Sequence, residues 1–280
     1  MGNRFRFLSL RYCTAGAHEQ MLSFLIPACE GSVRMKREKS GLSRREFGRT
    51  VVLSAGGIAL SYVFSPVLAQ TGRSIRIGVI GSGNIGGAIG KLWAKAGHEI
   101  LFSSRHPEAL KPLVEEAGPR AKAGTPKEAA QFGPVVFLAL PYSAVPEIGR
   151  EYGAILKGKV VMDCSNPSAR RDGEMAEAAR QKGSGVATAE YIPGARVVRA
   201  FGTINYKIAL QNAHRDGDKI AIPIAGDDAE AVRIASNLVI DAGFDPVMVG
   251  GLARSKEFDM GAPGSGKNTT AAELKKILNL

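Results

Sequence analysis

"GVIGSGNIGGAIG", residues 78–90, decides how the chain is read. It follows a strand-like run, "IRIGVI" (75–80), and opens a helical pattern at 85–96. Gly81, Gly83 and Gly86 stand in the spacing G-x-G-x-x-G. In that pattern the first glycine permits a tight turn, the second lets the backbone approach a pyrophosphate, and the third lets helix and strand pack closely. The helix start then offers free N–H groups and the positive end of its dipole to the anion. Strand, glycine turn and helix in this order predict dinucleotide binding; a purely structural glycine turn is the other reading.

The same rhythm continues outward. Strand-like segments are expected at 75–80, 99–103, 135–140, 159–164, 196–201, 219–226 and 245–250, with helical patterns at 85–96, 107–117, 144–152, 174–182, 203–211 and 228–241. Val- and Ile-rich strands alternating with helices predict an α/β fold: a Rossmann-like, doubly wound, mainly parallel sheet. The turn "RDGD" (215–218) marks the passage from a nucleotide-binding half, 70–211, to C-terminal α/β elements, 212–280, on the same sheet.

The end of the second strand predicts which dinucleotide is bound. An NAD site places an acid about 20 residues beyond the glycines, to accept from the ribose 2′-hydroxyl. Here the strand ends "FSSRHP", with Ser104 and Arg105 and no acid. Hydroxyl and guanidinium donors suit a 2′-phosphate, so NADP is expected; an ordinary polar loop, with His106-Pro107 starting the next helix, is the other reading. Two further strand ends, "LALP" with Leu140 and Pro141 and "SNP" with Asn166, fall where open α/β sheets bind ligands. Both also read as plain loops.

No acid–base machinery emerges, so the catalytic residues stay unassigned. His98 reads as a helix C-terminal cap, His214 as a loop residue, Asp227 and Asp228 as caps of the next helix, and Cys164 as an inert strand end. No metal-ligand spacing is present in the sequence. "GAPGSGKN" (261–268) imitates a phosphate-binding loop, but Asn268 stands where a metal-binding hydroxyl is needed. It reads as a mobile loop ahead of a tail helix; a loop closing over a second substrate is the sharper alternative.

The N-terminal region carries a different message. Ser43-Arg44-Arg45-x-Phe47 precedes an uncharged stretch, Thr50–Phe64, and then "SPVLAQ". That order resembles a twin-arginine export signal with cleavage expected after Ala69 and Met35 as the expected initiator; an amphipathic N-terminal helix or a retained anchor is the other reading. The apolar stretch falls short of the ~20 residues a spanning helix needs, so membrane contact is expected only during export. The whole chain is net +11, but residues 70–280 hold 27 Lys and Arg against 22 Asp and Glu, a net +5. That excess is scattered, without a basic helix or interleaved aromatics, and nucleic acid is not an expected partner. Of three cysteines only Cys164 follows the cleavage point.

From "GVIGSGNIG", "GHEILFSSR", "VVFLALP", "VVMDCSNP", "ARVVRAFGTIN" and "IAGDDAEA" with "DAGFDPVMVG", the chain resembles the coenzyme F420-dependent NADP oxidoreductases and their reductase-like relatives. The resemblance implies NADP contacts from Ser82, Gly83, Asn84 and Ile85, and from Ser104 and Arg105. It also implies that Leu140, Pro141 and Ser165–Pro167 wall the cofactor, with Phe201–Asn205 beside the nicotinamide. Where the family reads Ala-Phe-Asn-Thr, this chain has Gly202, which leaves the second ligand open. The implied activity is hydride transfer between NADP(H) and a small redox acceptor, a deazaflavin of the F420 type or a flavin. A non-enzymatic, exported NADP-binding sensor or partner-binding protein is the alternative. Expected partners are that acceptor and the twin-arginine export machinery, and a homodimer is one assembly open to the chain.

Overall fold

Residues 74–280 are described by a computed structural model of the protein. The export signal, its cleavage point and the Met35 start lie outside the described residues. From β1 (Arg76–Ile80), buried along four of its five residues, the chain turns into α1 (Asn84–Lys95) and then β2 (Glu99–Ser103). α2 (Lys111–Ala117), β3 (Ala121–Gly124), α3 (Pro126–Phe132) and β4 (Val135–Leu138) follow. α4 (Val145–Leu156), β5 (Val160–Asp163), α5 (Ala169–Asp172), α6 (Glu174–Lys182), α7 (Ser184–Tyr191) and β6 (Arg196–Arg199) complete the first half. α8 (Tyr206–Asn212), β7 (Ala221–Gly226), α9 (Ala229–Asp241), β8 (Asp245–Gly250) and α10 (Ala271–Ile277) close the chain.

The strands form one sheet in the order β3-β2-β1-β4-β5-β6-β7-β8. Neighbours are parallel except β6 and β7, which run antiparallel. That is the expected Rossmann-like, mainly parallel sheet carrying C-terminal elements on the same sheet. The order reverses between β1 and β4, the switch point at which such sheets bind ligands. The β6–β7 joint is slight. It has two residue pairs, Val198 with Gly226 and Arg199 with Ala225, where β1 and β2 share five.

Strands this apolar must be covered on both faces. One face packs under α1 and α9, around Trp93, Phe137, Phe201 and Phe244. These rings meet edge to face, with Trp93 at 5.1 Å from Phe137 and 5.8 Å from Phe201, an arrangement that favours the ring quadrupoles. The Trp93 indole N–H donates to the Leu238 carbonyl of α9 at 2.7 Å. The other face packs under α3, α4 and α7, with Ala129, Ile148 and Ala187 turned inward. α10 and Phe258 cover β7 and β8 through Leu274, Val247 and Val249.

The elements beyond the expected ones include β3, α3, α5, α7 and a 3-10 turn at Leu252–Glu257. α8 also begins later than its pattern, because Asn205 caps it by accepting from Lys207 N at 2.9 Å.

His98 ends the first helical segment as expected of a structural residue, though it does so by bridging. Its Nδ1 accepts from the Ile75 N–H (3.2 Å), which leaves Nε2 as the donor to Asp241 Oδ2 (3.0 Å) on α9. Removing a buried partner leaves unsatisfied groups costing about 1–3 kcal/mol, so His98→Ala should destabilise the fold by that amount. Denaturant unfolding measures it, and cofactor affinity should not change in the same variant.

Candidate functional site

The turn between β1 and α1 is built to leave N–H groups free. Gly81 holds φ at +95°, and a side chain there would strike the Ala139 carbonyl at 2.5 Å. A side chain at Gly86 would fall 2.0 Å from the Gly81 carbonyl, so the helix lies directly on the turn. Ser82 is tied to β2: its N–H donates to Ser103 O (3.2 Å) and its Oγ accepts from Ser103 N (2.8 Å). Gly83 is the N-cap of α1 and supplies no capping side chain, and the first turn has no acidic residue. The N–H groups of Asn84, Ile85 and Gly86, ahead of the first helical bond from Gly87 to Gly83, therefore face outward unmatched by the helix. Above Gly83 the space is open, since an added Cβ would meet nothing within 4 Å. Free donors, a helix dipole and open space fit an anion such as a pyrophosphate.

A cleft of about 650 Å³ opens beside this turn, and it gathers Gly81, Ser82, Gly83, Ser104, Arg105, Leu140 and Pro141. Ser104 Oγ accepts from His106 N at 3.1 Å, which leaves the hydroxyl hydrogen available to a ligand. Arg105 is exposed at the rim. The opposite wall comes from α4, through Glu147, Ile148, Glu151 and Tyr152, none of which the sequence singled out. Their signal was the amphipathic pattern of α4, which reads only as packing.

The other site residues fall elsewhere. Asn84 is exposed and lines a second, shallower groove of about 400 Å³ between α1, α2 and α8. Ile85 turns its side chain toward the core, so only its backbone N–H faces the turn's anion position. Gly86 is buried. Asn166 does not line the cleft, and its amide is engaged within the protein: Nδ2 donates to Gly202 O (2.5 Å) and Oδ1 accepts from Arg199 (3.2 Å). The amide is thus engaged within the protein, with a single N–H of the group left over.

Arg199 was missed, and its signal was an arginine inside an apolar strand, "RVVRAF". It is 1% exposed. Its Nη1 donates to Asp163 O, Asp163 Oδ2 and Ser165 O, each at 3.0 Å, and its Nη2 reaches Asp259 Oδ1 at 3.3 Å. Both carboxylates have further donors. Thr188 Oγ1 and Ser165 N serve Asp163, and the Ser184 N–H and hydroxyl serve Asp259. Beside this hub Phe201 holds φ at +62°, a strained value for a bulky residue, with its ring in the aromatic core.

Asp172 braces the loops above the strand ends. It accepts from Ser143 N (3.3 Å) and Ser168 N (2.8 Å), while Arg171 donates to both its oxygens and to Asn166 O (2.6 Å). The Leu140–Pro141 loop is thereby joined to the segment after Asn166. Hydrogen bonding from the Arg171 guanidinium holds the Asp172 carboxyl well below the usual carboxylate range, against an opposing burial penalty.

The remaining candidates are structural. Asp228 caps α9 by accepting from Ala231 N (2.7 Å), and Asp227 accepts from Leu252 N (2.9 Å). Cys164 is buried, which pushes its thiol pKa up and keeps it protonated. His214 lies in the loop before β7 with φ at +57°. Residues 261–268 form turns ahead of α10, which Thr270 and Glu273 cap reciprocally. Among the described residues no cluster of His, Cys, Asp and Glu has the makings of a metal site, and no helix is long and apolar enough to cross a membrane.

The Asp172 brace predicts a pH signature. A carboxyl whose folded pKa is depressed stabilises fully above its unfolded value of about 3.9 and loses this as pH falls toward the folded pKa. Asp172→Asn should therefore cost about 1–2 kcal/mol, discounted for the exposed Arg171, at neutral pH. Unfolding curves of both proteins should keep that gap constant above about pH 5 and close it in stronger acid.

Residues 76–167 match a family described as NADP oxidoreductase, coenzyme F420-dependent. The chain is 27% identical over 187 residues to the metalloreductase STEAP3 of Rattus norvegicus, covering 66% of this chain and 36% of that one. It thus spans about a third of the length of that relative. Among solved structures, the hypothetical protein SMa0349 from Sinorhizobium meliloti is 27% identical with a TM-score of 0.61, covering 72% of this chain and 98% of its own. A candidate F420-dependent NADP reductase from Arthrobacter sp. FB24 is 21% identical with a TM-score of 0.57, covering 65% and 88%, and shares the fold. The solved structures share the fold of this chain, and its residues 76–167 are similar to the coenzyme F420-dependent NADP oxidoreductase family.

Proposed function

We propose that the protein is a reductase that moves a hydride between NADP(H) and a second, small redox acceptor of the deazaflavin F420 or flavin type. The observation that carries the reading is the cleft's anion-binding side: the uncapped α1 N-terminus and, at the end of β2, Ser104 and Arg105. The open space over Gly83 fits a pyrophosphate, and the absence of an acid at the β2 end fits a 2′-phosphate. In this reading Asn84, Ile85 and Gly86 donate their N–H groups to the pyrophosphate, and Arg105 and Ser104 bind the 2′-phosphate. Leu140 and Pro141 form an apolar wall that limits water. When bound, the nicotinamide supplies a hydride, two electrons with one proton, and the acceptor takes it up with a proton from solvent. Positioning suffices for such a transfer, and no histidine lines the cleft.

NADPH oxidation with deazaflavin and flavin acceptors tests the activity. Tight NADPH binding without turnover on either would instead favour a binding protein. Arg105→Ala tests the cofactor assignment. A hydrogen bond to a charged group is worth about 1.5–3 kcal/mol, so NADPH should bind about 10- to 100-fold more weakly, with NADH unaffected. Titration of both cofactors decides; a parallel loss of both would make Arg105 structural.

Export by the twin-arginine route forms part of the same reading, because that route carries chains already folded around their cofactors. Replacing Arg44 and Arg45 together with Lys should leave precursor in the cytoplasm. Cell fractionation reports it, and export at the normal rate would remove this part of the reading.

A further inference from the structure

Arg199 closes β6, and its guanidinium lies across the end of β5 rather than along its own strand. It holds the backbone carbonyls of Asp163 and Ser165 and the side chain of Asn166, a continuous run of strand end. Asn166 passes this order on to the next strand end through its bond to Gly202 O at 2.5 Å. Gly202 lies flat on the pair: an added Cβ would fall 2.9 Å from Arg199 Nη2 and 3.1 Å from Asn166 Oδ1. Glycine at this position leaves room for the Arg199–Asn166 contact.

The cleft is built on the ends of β1, β2 and β4 and fits the adenosine and phosphate portion of a dinucleotide. In a doubly wound sheet the other end of such a ligand continues along the carboxyl ends of the next parallel strands. Those are β5 and β6, the two ends that Arg199 ties together. Asp259 anchors the guanidinium from the far side.

Resting on the reading of the site as an NADP(H) site, we infer that Arg199 is a positioning residue for the nicotinamide end, acting through Asn166 and Gly202. It does not touch the cofactor. Its planar fork spans five acceptors in fixed directions, which the single ammonium of a lysine cannot reproduce although the charge is kept.

The test compares NADPH with 2′-phospho-ADP-ribose, which has the same adenosine and phosphate groups and no nicotinamide. It uses the full chain, with calorimetric titration as the readout, so no acceptor or turnover is needed. In Arg199→Lys, losing one neutral hydrogen bond's worth of order should weaken NADPH about tenfold and leave 2′-phospho-ADP-ribose within about twofold. Asn166→Ala should narrow the same gap. The double variant should be no worse than Arg199→Lys alone, because the two act in series. Equal losses for both ligands would make Arg199 a structural residue only, and no change in either would deny it a role; both results overturn the inference. A double variant whose losses multiply would overturn the serial route. If Arg199→Lys fails to fold, Asn166→Ala decides: a narrowed gap supports the inference and an unchanged gap overturns it. Wild type that binds neither ligand would remove the NADP(H) reading, and this inference with it. Wild type that binds both leaves that reading standing whatever the variants do.

Discussion

A single buried guanidinium holds the middle of this molecule together. Arg199 lies at the β6 end, where the parallel sheet meets the antiparallel β7 through two residue pairs. A joint that thin needs support from outside the ladder. Two carboxylates flank the cation, Asp163 from β5 and Asp259 from the segment after the Leu252–Glu257 turn. Burying these charges costs desolvation, which only near-complete hydrogen bonding offsets. The carboxylates meet that demand with hydroxyl and amide donors from Ser165, Ser184 and Thr188. Two atoms stay unpartnered, Arg199 Nε and Ser165 Oγ.

The hub also explains the conformation of Phe201. With Arg199 turned across β5 and Gly202 laid on Asn166, the chain must reverse between them. A left-handed residue makes that reversal, and the strain is held by aromatic packing on Trp93, Phe137 and Phe244. The polar network on one side and the ring cluster on the other fix the same three residues.

Much of this was legible in the sequence where one local signal was enough. Gly81 and Gly86 announced the turn because no other residue tolerates those contacts, and Ser104 with Arg105 announced a polar strand end. Asp228 was legible as a cap because its partner, Ala231, lies three residues away. The rest depended on distant partners. β3, "AKAG", has weak strand propensity and is a strand only because β2 pairs with it. α7, "SGVATAEY", has no apolar stripe, since small residues on several sides let it nest between α4 and β6. α3 carries a local signal in its Thr125–Glu128 capping box, but its seven residues are too short for a clear helical period. Asn166 was legible as a strand-end amide, but its bonds to Gly202 O and to Arg199, 33 residues away, which donates to its side-chain oxygen, were not. Asp163, Arg199 and Asp259 are far apart in sequence, and only folding makes them a cluster.

The missing side-chain cap on α1 carries a consequence for the chain without ligand. Among the described residues α3, α8, α9 and α10 open with a side-chain cap from Thr, Asn or Asp, and such a cap is worth about 0.5–2 kcal/mol. α1 forgoes it at the very helix that packs Trp93 into the core. An anion seated on Asn84, Ile85 and Gly86 is then the cap itself, so occupancy and folding draw on the same hydrogen bonds. Such a ligand at 100 times its Kd would stabilise the native state by about 2.7 kcal/mol through mass action alone. Resistance of this protein to unfolding, and through it to proteases, should then rise with the concentration of such a ligand.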